Sequence, residues 1–96
     1  MRAIYKVPGK AKEIIDIPNT LEALQEKVGG YIEAVTIDTD AAIICNEEGR
    51  IMGLPHNCVL LGVDFVGPIL IVGVKGPEFT DLPDAAIELF LRPGGD

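Results

Sequence analysis

Histidine and cysteine are the side chains with most to offer a reaction, and His56 stands two residues before Cys58, a spacing that puts both on one face of an extended segment. A thiol beside an imidazole is the raw material of a nucleophile. Activation also needs an oriented ring, surroundings that favour the thiolate and an oxyanion pocket, and a spacing specifies none of these. Cys45 ends the apolar run AAIIC, where a buried structural thiol is the ordinary outcome. Cys45, His56, Cys58 and Asp64 follow no paired-ligand pattern for zinc, so neither a metal nor another cofactor is expected. Glu47 and Glu48 are adjacent and tend to point apart, which suits a solvated turn better than an acid and base working together. Neither Gly29-Gly30 nor Lys75-Gly76-Pro77 has the glycine-rich frame, entering a helix, that cradles phosphate. The residues predict a protein that is not an enzyme.

What remains is a set of polar and aromatic groups in irregular segments, Gly53-Leu54-Pro55-His56-Asn57 and Asp64-Phe65-Val66-Gly67-Pro68. Loops on an apolar scaffold are where binding sites gather. Asn57 offers a donor and an acceptor, Phe65 offers a stacking face, and backbone amides beside glycines can approach a ligand closely.

The elements that must hold these loops are legible in the hydrophobic pattern. Residues 2–7 and 12–17 are short β-type runs around Pro8-Gly9 and read as a hairpin. Asn19, three residues before Glu22, forms a capping-box pattern ahead of Leu21, Leu24 and Val28, predicting a helix from Thr20 to Lys27 closed by Gly29. Tyr31 to Ile37 and Ala41 to Asn46 flank Asp38-Thr39-Asp40 as a second hairpin, with the doubly apolar AAIIC inside the sheet. Ile51-Met52 can add a short strand, while glycines and proline break residues 53–67 into a structured loop. Ile69 to Val74 is rich in β-branched residues and reads as the central buried strand. Asp81 can cap a last helix that has Pro83 in its first turn and ends at Arg92-Pro93. The fold class is α+β: a small mixed or antiparallel sheet of four to six strands with two short helices packed on it, one domain over residues 1–96.

A chain of 96 residues has no room for a second domain. Its 15 acidic against 8 basic side chains give a formal charge of -7, which repels phosphate backbones and forgoes the counterion release that drives duplex binding. Direct nucleic-acid binding is therefore disfavoured. The N-terminal MRAIYKVPGK has no apolar signal stretch and no run long enough to span a bilayer, so a cytoplasmic protein with no membrane partner is expected.

The segments NTLEALQEKVGGYIE, ICNEEGRIMGLPHN, DFVGPILIVG and FTDL, in that order over nearly the whole chain, resemble a small uncharacterised family, a domain of unknown function, from Firmicutes, their mobile elements and phages. Gly30, Tyr31, Glu33, Asn46, Glu47, Gly53, Leu54, Pro55, Asn57, Phe65 and Gly67 are the matching positions. The resemblance implies a phage or mobile-element setting, where small acidic proteins counter host defence. One way is a sponge that sequesters a nucleotide-derived immune signal; the alternative is an acidic DNA mimic or protein-binding inhibitor of a host defence or restriction protein. For the sponge, Tyr31 and Phe65 stack on a base, Asn46 and Asn57 read its edge, and Arg50 or Lys75 meets phosphate. Glu33, Pro55 and His56 complete the expected ligand-binding set. A homodimer is expected with it, because a sheet this small encloses little by itself.

Overall fold

The computed structural model describes residues 1–92. Its elements in chain order are β1 (Arg2–Lys6), β2 (Glu13–Asp16), α1 (Leu21–Val28), β3 (Ile32–Asp38), β4 (Ala41–Asn46), β5 (His56–Leu60), β6 (Val63–Val66), β7 (Ile69–Lys75), β8 (Glu78–Thr80) and α2 (Asp84–Leu91). The main sheet runs β2-β1-β7-β4-β3, with β8 also on β7, and every pairing is antiparallel. The fold is thus α+β, with six strands in this sheet and a separate two-stranded β5-β6 sheet.

β7 is the hub. Its Ile69, Leu70, Ile71 and Val72 are fully buried, and it pairs with β1, β4 and β8. Side chains alternate across a strand, so the apolar run serves both faces. Leu70 and Val72 join Ala3, Ile44 and Ile17 under Leu24 and Val28 of α1. Ile69 and Ile71 join Ile4 and Ile43 on the other face, under Leu82, Phe90 of α2, and Cys58, Leu60 and Phe65 of the β5-β6 hairpin.

Local chemistry differs from the sequence reading at four places. The N-cap of α1 is Thr20, whose hydroxyl accepts from the Ala23 amide, while Asn19 turns away and donates to the Phe79 carbonyl. Asp81 does not cap α2; its carboxylate accepts from the Arg2 amide, and Pro83 precedes the helix with no side-chain cap. Ile51-Met52 is a turn, held by the Met52 amide on the Glu48 carbonyl. Residues 53–67, read as a loop, contain the β5-β6 hairpin, closed at Leu61-Gly62 with φ of 50° and 79°. A two-residue turn with both φ positive ordinarily takes Asn-Gly; Leu61 occupies it at a steric cost and projects its side chain, 67% exposed, into solvent. Gly29 ends α1 in the left-handed region as expected.

Candidate functional site

The antiparallel pairing of β3 with β4 leaves β3 as an outer strand. On the sheet face that carries the hairpin, Glu33 and Val35 of β3 look across to Val63, Asp64, Phe65 and Val66 of β6. Between them runs a groove of about 260 Å³, closed at one end by Cys45, Asn46, Glu47, Arg50 and Ile51. Ile51 stands 87% exposed on its rim.

Asp64 organises the polar side. Its Oδ1 lies 2.8 Å from His56 Nδ1, and its main-chain carbonyl accepts from Arg50 Nη2 at 2.7 Å, with Oδ2 of the same residue 3.9 Å from that nitrogen. The hairpin register explains the histidine. Cys58 pairs with Phe65 and both face the core, while Val59 pairs with Asp64 and both face out. A register shift between His56 and Cys58 returns His56 to the outer face, diagonally across from Asp64. The one-face spacing of His56 and Cys58 is therefore undone by a bulge, and Cys58 is buried among Ile4, Leu60 and Phe65. Among the described residues, no three His, Cys, Asp or Glu side chains converge to hold one metal ion.

Of the ligand-binding set expected from sequence, Glu33, Asn46, Arg50 and Phe65 meet at the groove. Two of these four have other employment. Phe65 is 3% exposed, a core side chain with no free face for stacking. Asn46 is buried, its Nδ2 donating to the Val28 carbonyl and its Oδ1 accepting from the Glu48 amide, so it joins the end of α1 to the turn after β4. Asn57 is likewise buried, donating to the carbonyls of Lys6 and Gly67 and accepting from Lys6 Nζ. Tyr31, 65% exposed, adjoins the groove through its carbonyl, which accepts from the Glu47 amide. Pro55 and His56 are exposed around the β5 start, and Lys75 is exposed at the far end of β7, away from the groove. Sequence reading missed Val35, Cys45, Ile51 and Val63 as groove residues, since only the pairing of distant strands assembles them, and it named Asp64 and Val66 as part of a binding segment with no individual role.

Cys45 reports on the groove. Its half-burial, and secondarily the Glu33 carboxylate, push the thiol up from its ordinary value, with partial relief from Arg50. Because the thiolate is the reactive form, iodoacetamide should modify Cys45 more slowly than a free thiol at pH 8 and accelerate as the pH passes the usual thiol range near ~8.5. Glu33→Gln should quicken it. The raised folded value also means that stability is fully present below the unfolded thiol's pKa and falls as pH rises through the folded one. Mass spectrometry of the alkylated peptide decides the matter; a Cys45 as fast as glutathione at pH 8 would refute the assignment.

A profile of one protein family, Domain of unknown function (DUF3846), matches residues 1–93. No curated protein and no solved structure matches the chain. No helix among the described residues is long and apolar enough to cross a membrane.

Proposed function

The chain belongs to the family Domain of unknown function (DUF3846), and for this member we propose binding without catalysis: the groove beside β3 is the occupied surface, and its occupant is a positively charged part of another protein. The observation that carries this reading is the charge of the groove. Glu33, Glu47 and Asp64 line it against one guanidinium, that of Arg50, which Asp64 already holds. Such a lining attracts ammonium or guanidinium groups and repels phosphate. A volume of about 260 Å³ also lies below the roughly 300–1,000 Å³ typical of small-molecule pockets. In the phage or mobile-element setting that the motif resemblance implies, the protein acts as an acidic inhibitor of a host defence or restriction protein, in the host cytoplasm.

The other reading, a homodimeric sponge for a nucleotide-derived signal, is favoured by Arg50 in the groove and by the exposed Tyr31, whose carbonyl accepts from the amide of the groove residue Glu47. It loses the stacking face of Phe65 and the amides of Asn46 and Asn57, all committed to the fold. Calorimetry and amide chemical shifts separate the two. A lysine-rich peptide should bind, shift groove amides and weaken with salt, while cyclic and linear ADP-ribose nucleotides give no heat. Heat from the nucleotides and none from the peptide reverses the choice. His56→Ala, which frees Asp64 Oδ1 at the groove, should leave peptide binding no weaker than in the parent, since the ring serves no reaction in this reading.

A further inference from the structure

We propose that the free edge of β3 takes an extended, basic segment of the partner as an added antiparallel strand; this rests on the reading of the groove as a protein-binding surface. Three observations lead there. The first is the edge itself: β3 has seven residues and, among the described residues, pairs on one side alone. The Glu47 amide donates to the Tyr31 carbonyl, which fixes the phase of the β3-β4 ladder. By the antiparallel alternation, residues 33 and 35 turn their backbone groups toward β4, and Ile32, Ala34 and Thr36 turn theirs outward. An unused row of donors and acceptors is the template for strand addition.

The second is charge. β3 carries Glu33 and Asp38 and no basic residue, with Asp40 beyond one end and Glu47 and Glu48 beside the other. A second copy of the chain, paired edge to edge, would set these carboxylates against each other, so the edge rejects itself. Lysine or arginine flanking an aliphatic centre complements it, because Val35 and Ile37 occupy the middle. The third is apolar surface beyond the edge. Tyr31, Ile51 and Val63 are exposed around the groove, and Leu61 keeps an unfavourable backbone conformation to stand out at the adjoining hairpin tip. Alternate side chains of an added strand would enter the groove beside Glu33 and Asp64, and the others would lie on the α1 side.

The experiment uses the full chain and two synthetic peptides of about eight residues that alternate lysine with valine, one natural and one N-methylated at the valine amides, which an added strand with its lysines in the groove turns toward β3. The natural peptide should bind, protect the Ile32, Ala34 and Thr36 amides from hydrogen exchange, and weaken as salt rises. The N-methylated peptide should bind at least about tenfold more weakly. Ala34→Pro removes an outward donor without touching the ladder to β4, a position where an edge strand tolerates proline; it should reduce affinity to the level of the N-methylated peptide. Should this variant unfold, the exchange pattern of the parent chain still decides. Equal binding of both peptides would overturn strand addition and leave the acidic groove standing. No binding of either would remove both. A dimer of the chain alone that protects the same amides would also overturn it, in favour of self-pairing.

Discussion

Gly73→Ala is expected to cost about 3–5 kcal/mol, a large share of what holds a domain of this size together. Gly73 lies in β7 between Ala41 of β4 and Thr80 of β8. A Cβ there would fall inside the Asp81 carbonyl oxygen, with the Asp81 carbonyl carbon at 2.9 Å and Thr80 Cγ2 at 3.1 Å. Both Asp81 atoms are backbone and cannot swing aside, so the chain from β8 to α2 must lift. Lifting it draws out Leu82, fully buried on the hairpin face, and breaks the bond from the Leu82 amide to the Arg2 carbonyl. Overpacking alone runs to about 1–3 kcal/mol, and exposing a leucine adds roughly 1.5–3. Thermal melts followed by circular dichroism provide the measurement. A melting temperature within a few degrees of the parent would mean that the crossing over Gly73 is looser than described.

Asn57→Ala is the second large effect, at about 3 kcal/mol, with a fall in Tm of more than about 10 °C. The side chain makes three bonds at 2.7 to 2.9 Å: to the Gly67 carbonyl, to the Lys6 carbonyl and from Lys6 Nζ. Alanine takes the side-chain donor from two carbonyls, that of Gly67 buried and that of Lys6 part-buried, and a buried group left unpaired costs about 1–3 kcal/mol. Asn57→Asp should be no better, despite the nearby ammonium, because it turns an oxygen toward those carbonyls in place of the NH2. Urea midpoints for both variants test this. An aspartate variant as stable as the parent would show that Lys6 alone holds the hairpin to β1.

The same residue shows where sequence stops being informative. Asn57 has the local surroundings of a ligand group, among Gly, Pro and His, and its destination depends on the Lys6 carbonyl, 51 residues away. Phe65 is hidden for the same reason, since nothing local says that the hairpin folds inward over Ile71. The hairpin was itself hidden: its turn is Leu61-Gly62 in place of Asn-Gly, and the shift at His56 breaks the alternation that would have exposed the strand. β7, β4, α1 and the first two hairpins were plain, because their apolar period or their turn chemistry is local. Glu33 and Arg50, expected in a ligand-binding set, do line the groove, while Asp64, the residue that joins Arg50 to His56, carries no local sign of that role beyond its place in an irregular segment.

The position of β7 at the centre of the sheet has a consequence for how the protein is made. Arg2–Lys6 leaves the ribosome more than sixty residues before its neighbour in the sheet, Ile69–Lys75. Three detached hairpins and one short helix wait in the meantime, and a lone hairpin is marginal in water. Closing so many long-range pairs at once makes folding slow and all-or-none. A nascent chain halted before residue 69 would present its unpaired β1 and β4 edges to proteases and chaperones, and only synthesis past β7 would withdraw them.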